Sequence, residues 1–370
     1  MTNLHLNHMM NLYKSKGCEV MKYVLIGCGR VAGNHIKAAM DNGLEIAALC
    51  DIEIEKAKAL AEKYGLQNVD FYSDYKEMLH NVKPDFTAIA VWSGAHCEIA
   101  EYCGENGFNF LVEKPLAMSI AQAQRVIDAA KRGNAVAGVC HQNRFNTAVQ
   151  ELRRAIDNGR FGKISHGNIT VRWCRTEEYY AQDSWRGKWE SDGGALMNQC
   201  IHGIDLLRWM LGDEIESVYG FVRNSHHPYI EAEDVGVAVI SFKNGAVATV
   251  EGTVNAIKDY EETLSVFGEQ GMVRLGGMSA NTIDTWQFAT EENCDAQKRD
   301  FSEQIPNVYG NGHTSIYYDM VRAIKDGTAP YVDLEAGKRA VELVLAIYKS
   351  QKTGERVDFP LENFASTDMI

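Results

Sequence analysis

The sequence predicts a protein of class α/β plus α+β: an N-terminal doubly wound parallel sheet, then a C-terminal domain of open-faced antiparallel sheet and helices. Three observations carry this. The chain has 370 residues, more than the roughly 100 to 200 of one ordinary domain. Short β-branched runs alternate with helical stretches as far as Asn143, which implies βαβ units. Beyond that point apolar and polar residues alternate with period two, as half-buried strands require.

In the first half KYVLIG, EIAALCD, Val69 to Tyr72, FTAIAV, FNFLV and NAVAGVCH read as strands. The helices between them lie near Arg30 to Asp41, Glu53 to Tyr64, Asp74 to His80, Ala95 to Asn106 and Ser119 to Arg132. Such spacing pairs strands in parallel and puts helices on both faces. An amphipathic connecting helix follows at 146–158 and ends at Gly159. ISHGNITVRW, IESVYGFVR, DVGVAVISF, AVATVEGTV and ETLSVFG are the strands of the second half. Lys243-Asn244-Gly245 joins the third to the fourth, and Asn-Gly is a strong hairpin signal. One helix, GGALMNQCIHGIDLLRWMLG, lies among these strands. Two more close the chain near Thr314 to Lys325 and Leu334 to Ser350, the last able to return to the first domain. Residues 1–20 lack the apolar stretch of a signal peptide and read as a disordered extension. Residues 21–143 form the first domain and 144–370 the second.

Composition narrows the function. With 45% apolar and 24% charged residues and only six prolines, the chain is globular. No apolar run reaches the roughly 18 residues of a membrane span. Lys plus Arg number 37 and Asp plus Glu 50, a net charge of −13, which argues against nucleic acid and anionic membrane as partners. The nine cysteines are scattered without a CxxC pair, so they read as reduced thiols of a cytoplasmic protein with no metal site among them.

The first strand-to-helix turn, Gly27-Cys28-Gly29-Arg30-Val31-Ala32, is a GxGxxA dinucleotide fingerprint. Gly27 permits the tight turn, Gly29 lets the backbone approach a pyrophosphate, and Ala32 allows close packing of helix on strand. Asp51 ends the second strand 24 positions after Gly27, where a carboxylate can accept from a ribose 2′-hydroxyl and repel a 2′-phosphate. No Lys or Arg follows before Lys56, so NAD is expected rather than NADP. Asp51 also stands where a helix N-cap would.

Three further elements carry chemistry. Glu113-Lys114-Pro115 follows the fifth strand at the carboxyl edge of the sheet, where doubly wound folds bind ligands. Lys114 there can donate to a substrate oxygen or, partly buried, exchange a proton; in isolation it reads as a surface lysine before a turn. Asn198 and His202 are four apart on one helix, with Asp205 three further on as a possible orienting carboxylate. A core histidine satisfied by Asp205 is the competing reading. In residues 172–190 five of 19 are aromatic against 9% overall, and Arg172, Arg175, Arg186 and Lys188 lie between them. Aromatic faces stack on rings, and cations grip phosphate or carboxylate. Tyr180, Trp185 and Arg186 are therefore substrate candidates with Arg172; Asn143, Arg144 and His313 are weaker ones.

Together, the GxGxxA turn, the Glu-Lys-Pro motif and the histidine-bearing helix resemble the Gfo/Idh/MocA (glucose-fructose oxidoreductase / inositol dehydrogenase) family over about residues 21–358. NRFNTAVQELRRAI, EYY, SWRGKWE, DGGALMNQ and IHGIDLL are similar to its UDP-N-acetyl-2-amino-2-deoxy-glucuronate 3-dehydrogenases. This resemblance implies oxidation of a sugar hydroxyl to a ketone by hydride transfer to NAD, with Lys114 and His202 catalytic. It implies Gly27, Gly29, Arg30, Val31, Ala32, Asp51, Glu113 and Lys114 at the cofactor and Asn198, His202 and His313 beside the substrate. It also implies a homodimer or homotetramer built through the antiparallel sheet. Many members carry Asp where this chain has Asn198, a departure that removes a carboxylate and puts the proton transfer on His202 and Lys114. A dehydrogenase of a free polyol or hexose, or a non-catalytic NAD-binding regulator, is the alternative.

Overall fold

The structure is a computed structural model describing residues 20–290, 295–305 and 307–370; the expectation for residues 1–20 therefore lies, Val20 apart, outside the described residues. Strands β1 (Lys22–Ile26), β2 (Glu45–Cys50), β3 (Asp70–Tyr72), β4 (Phe86–Ile89), β5 (Phe110–Val112) and β6 (Ala137–Val139) form one sheet. Its order is β3-β2-β1-β4-β5-β6 and all its pairs are parallel. The strand order reverses between β1 and β4, so a crevice opens at their carboxyl ends. Helices α1 (Ala32–Asp41), α2 (Ile54–Tyr64), α3 (Tyr75–Val82), α4 (His96–Glu105) and α5 (Ile120–Arg132) connect these strands. Asp74 and Ser119 start α3 and α5 by accepting backbone N–H groups of the first turn.

Helix α6 (Thr147–Asp157) leads into β7 (Ile164–Arg172). Short helices α7 (Glu177–Ala181) and α8 (Ala195–Asn198) precede α9 (Ile201–Leu211). Then follow β8 (Ile215–Arg223), β9 (Val235–Phe242), β10 (Val247–Thr253), β11 (Glu261–Gly268), β12 (Gly271–Gly276) and β13 (Thr282–Phe288). Helices α10 (Asp295–Phe301), α11 (Gly312–Asp326) and α12 (Leu334–Thr353) and the short β14 (Val357–Asp358) complete the chain. The second sheet runs β13-β12-β11-β7-β10-β9-β8-β14.

Three details differ from the sequence reading. The second sheet is mixed, because β7 and β10 pair in parallel while the other neighbours are antiparallel. Strands β12 and β13 extend it beyond ETLSVFG; β12 is short and bounded by Gly271 and Gly276, and both interleave polar residues, so their periodicity is weak. The expected helix of residues 193–212 breaks at Gln199 and Cys200, where the Cys200 N–H reaches back five residues to the Ala195 carbonyl at 2.9 Å. Asn198 and His202 consequently lie on separate helices.

One face of the parallel sheet packs Tyr23, Leu25 and Phe86 against α1, α2 and α11. Tyr317 of α11 sits in that core, its ring centroid 5.1 Å from Phe86 and 5.8 Å from Tyr23. The opposite face, including Ile89 and Val112, belongs to a second core that runs on through Leu343, Val344 and Ile347 of α12 to Ile240 and Leu264 of the mixed sheet. No described helix is long and apolar enough to cross a membrane.

Candidate active site at the sheet edge

The crevice above β1 and β4 is the floor of a cleft of about 1860 Å³. A single small ligand typically occupies roughly 300–1,000 Å³, so there is room for a dinucleotide and a second molecule. Gly27 has φ +94°, and a Cβ there would lie 2.4 Å from the Ala90 carbonyl oxygen; only glycine turns the chain here. At Gly29 a Cβ would meet nothing within 4 Å, which leaves the backbone open to the cleft as a pyrophosphate cradle needs. Asp51 Oδ2 accepts from the Cys28 N–H at 2.8 Å and Oδ1 from the Glu53 N–H at 2.9 Å. The carboxylate thus fixes the loop and the helix entry at once. A carboxylate has about four acceptor positions, so two remain for a ribose diol. Lys56 is paired to Glu53 at 2.6 Å rather than offered to a 2′-phosphate.

Beyond β5, Glu113 is buried and turned inward. Its Oε1 accepts from His35 Nε2 at 3.0 Å, His35 Nδ1 accepts from the Tyr317 hydroxyl at 2.7 Å, and Tyr317 accepts from Tyr23 at 2.8 Å. His313 Nε2 lies 3.9 Å from the same carboxylate oxygen. Burial raises the Glu113 carboxyl, yet the flanking His313 and His35 hold it well below the ordinary range. The donor atoms of His35, Glu113, Cys140 and His313 fall within 4.8 Å of one another. Since His35 is already satisfied on both nitrogens, we read the cluster as a brace for Glu113.

Lys114 faces the cleft and donates from Nζ to the Asn198 carbonyl at 2.6 Å. Burial pulls its ammonium below the usual lysine value, against the raising charges of Glu113 and Asp192. His202 is only 6% exposed. Its basicity falls well below an ordinary imidazole, first through burial and then through Lys114 and His141. The His141 ring stands edge-on to it at 5.5 Å, and Gln142 Nε2 is 3.5 Å from its Nε2. Its Nδ1 has no hydrogen-bond partner among the described residues. An amine and an imidazole, both short of protein partners, thus share one wall of the cleft.

Residues 173–190 form an adjoining wall, joined to the lysine side through Gln199, which accepts from Arg175 at 2.8 Å and donates to the Tyr179 hydroxyl at 3.0 Å. Arg30 of the glycine turn lies over the Tyr179 ring at 5.2 Å, and Arg186 stacks between Tyr179 at 4.5 Å and Trp185 at 4.3 Å. Residues 149–274 match the GFO/IDH/MocA C-terminal domain, and residues 21–141 match the oxidoreductase family with an NAD-binding Rossmann fold. The chain belongs to the GFO/IDH/MocA family.

Two solved structures resemble this GFO/IDH/MocA chain. The WlbA dehydrogenase of Bordetella pertussis, in complex with NADH and UDP-GlcNAcA, is 32% identical, with a TM-score of 0.82 over 93% of this chain and 100% of that one. WlbA of Chromobacterium violaceum, with the same ligands, is 32% identical, with a TM-score of 0.85 over 94% of this chain and 98% of that one. Among curated relatives, the myo-inositol 2-dehydrogenase of Thermotoga maritima is 25% identical over 89% of this chain and 96% of its own. The protein is accordingly an NAD-binding oxidoreductase of a family of sugar dehydrogenases.

Of the residues expected at the site of this family member, Gly27, Gly29, Arg30, Val31, Asp51, Glu113, Lys114, Trp185, Arg186, Asn198 and His202 line the cleft. Ala32 is fully buried beneath the turn, where it packs helix on strand. Four expectations need correction. Arg172 does not line the cleft: its guanidinium is held by Glu251 at 2.7 Å and Glu261 at 2.6 Å on neighbouring strands. Tyr180 is buried behind α7, against His227 and Tyr229; its neighbour Tyr179 faces the ligand space instead. His313 backs Glu113 from α11 and does not reach the cleft. Asp205 does not orient His202, because both its oxygens accept from Arg144 at 2.6 Å. Tyr179, Gln199, Trp92 and Gln142 line the cleft unannounced by the sequence reading. The Tyr-Tyr pair flagged the right place, but only helix phase separates Tyr179, which faces the cleft, from Tyr180, which faces the core; Asn198 and Gln199 both line the cleft.

Proposed function

We propose that this chain oxidises a sugar hydroxyl to a ketone at C3 of a UDP-N-acetyl-amino-sugar uronate, in the synthesis of a surface polysaccharide. The observation that carries this is the charge left over in the cleft. Arg175 and Arg186 are neutralised by Asp259 and Asp183. Among the described residues, Arg30 and Lys188, apart from the reacting Lys114, line the cleft with no carboxylate partner. Two unspent cations beside Tyr179 and Trp185 suit a molecule with anionic groups and a flat ring. The likeness to two enzymes solved with UDP-GlcNAcA points the same way.

The nicotinamide cofactor, when bound, supplies the hydride acceptor. The protein's part is to hold the sugar and move one proton. His202, with low basicity, stays neutral and orients the reacting hydroxyl. Lys114, the stronger base of the pair, takes the hydroxyl proton as the carbon loses its hydride. The resulting ammonium steadies oxygen charge until the carbonyl is complete. Asp51 takes the adenosine ribose. Asp51→Asn is expected to raise the KM for NAD at least tenfold while leaving that for NADP within about threefold, read from initial rates with each cofactor; unchanged discrimination removes the ribose role.

Similarity to inositol dehydrogenases favours a second reading, a free polyol as substrate. NADH absorbance on mixing the protein with NAD and UDP-N-acetylglucosaminuronate or myo-inositol separates the two. Turnover of the polyol alone overturns the first reading.

The solvent-facing side of the mixed sheet exposes Phe221 at 46%, Val237 at 44%, Val239 at 55% and Val247 at 54%. We propose that a second copy covers this face, making a homodimer or part of a homotetramer. Val239→Lys is then expected to halve the mass found by light scattering; an unchanged mass rejects this face.

A further inference from the structure

Asp192 does not line the cleft, yet it stands directly behind the lysine wall. It is 2% exposed. Its Oδ2 accepts from the Gly187 N–H at 2.7 Å, and its Oδ1 accepts from Asn198 Nδ2. An ionised carboxylate can only accept, so the Asn198 amide is turned with its nitrogen to Asp192. Asn198 Oδ1 then takes the Gln199 amide N–H at 2.6 Å, and the Asn198 main-chain carbonyl takes Lys114 Nζ at 2.6 Å. Asn198 therefore links the Asp192 carboxylate to the Lys114 amine.

We propose that Asp192 is a positioning residue for Lys114: it pins Asn198, whose carbonyl receives the amine, and with Glu113 it is one of the lysine's two buried counter-charges. This rests on the reading of Lys114 as the group that exchanges the substrate proton. The charged and titratable groups around Lys114 are Glu113, Asp192, Arg175, Cys140, His202, His141, His96 and Cys200. Glu113 is already engaged by His35, which leaves Asp192 as the carboxylate coupled to the amine through Asn198. Around Asp192 itself stand Arg186, Lys114, Tyr179, Tyr180 and Glu233. Burial pushes the Asp192 carboxyl up to about 6, against the lowering pull of the Gly187 N–H, Asn198, Arg186 and Lys114. It carries its charge from neutral pH upward, where oxidation by a lysine base proceeds.

The chemistry of the pair supplies a reciprocal test. Asp192→Asn confronts two amide nitrogens, and Asn198→Asp confronts two carboxylates. The double swap, carrying both substitutions, restores the geometry: the amide then at position 192 accepts from the Gly187 N–H and donates to the carboxylate at position 198, whose second oxygen keeps Gln199. Lys114 titration is followed in each protein, without sugar, by acetic anhydride labelling across pH and mass spectrometry, alongside NADH formation. Only the neutral amine reacts. Removing the anion lowers the proton affinity of Lys114, so Asp192→Asn is expected to move the labelling midpoint down by about one pH unit and to lower kcat by about tenfold or more. Asn198→Asp moves the midpoint up, and the swap returns both readings to within about twofold of the parent.

Equal midpoints in all four proteins overturn the proposal, as does a swap no better than the worse single variant. Should Asp192→Asn not fold, the comparison of Asn198→Asp with the swap decides alone. Shifted midpoints in a protein that does not oxidise the nucleotide sugar overturn the substrate reading and leave this one standing. Turnover with unmoved midpoints does the reverse.

Discussion

Lys114→Ala is expected to lower kcat for sugar oxidation by about 10³-fold, within the 10²–10⁴ that a positioned acid or base contributes. NADH affinity, read by fluorescence titration, should stay within about threefold, because the glycine turn and Asp51 are untouched. The pH profile makes the assignment sharper. With Lys114 as the base, oxidation requires its neutral amine, and kcat/KM is expected to rise with pH through the Lys114 titration. Burial lowers that titration below the ordinary 10.5, and the rising limb should lie on the neutral side of it. Lys114→Ala removes the limb. A near-normal rate with the limb intact would falsify Lys114 as the base and move that role to His202.

Asp205→Ala should cost the most stability of any single change beside the site, about 3–5 kcal/mol. Arg144 and Asp205 form a two-pronged pair with both contacts at 2.6 Å, and their side chains are 4% and 0% exposed. Arg208 adds a cation 3.9 Å from the same carboxylate. Truncating Asp205 strands the buried Arg144 guanidinium, while Arg208 keeps Asp213 at 2.7 Å; urea midpoints at neutral pH measure the loss. Replacing Arg144 and Asp205 together by apolar side chains should cost less than removing Asp205 alone, since no charge is then left unpaired. Burial opposes the Asp205 charge, but Arg144 outweighs it and holds the carboxyl below the ordinary range. Its contribution is therefore fully present above the unfolded value of about 3.9 and fades only as pH falls through the lower folded value. Equal midpoints for the parent and Asp205→Ala at neutral pH would show that the pair adds nothing.

The legible parts of this protein are those encoded within one turn of chain. Gly27, Gly29 and Asp51 announce a cofactor site because tight turns and strand ends are local matters, and Lys114 was readable from its place after a strand. The illegible parts depend on partners distant in sequence. Asp205 looked like the orienting group of His202 because it sits three residues away; its true partner, Arg144, is 61 residues off. Arg172 was misplaced for a related reason. It ends a strand whose direction is clear, but the carboxylates that capture it lie on β10 and the start of β11. The parallel pairing of β7 with β10 is likewise a property of the whole sheet. Asp192 and Tyr179 escaped because they are separated from Asn198 and Tyr180 by packing alone.

The core that passes from Ile89 and Val112 through α12 to Ile240 and Leu264 limits how the molecule can move. Enzymes with two domains around a cleft often open by rotation about a hinge, which requires a boundary that can be wetted cheaply. Here the boundary is filled with Leu343, Val344 and Ile347, each 0% exposed, and rotation would bring apolar surface into water at about 25 cal/mol for every Å². Ligands must therefore enter a cleft whose floor stays still. What this packing leaves unconstrained are the side-chain walls of the cleft, where Arg30 lies over Tyr179 at 5.2 Å.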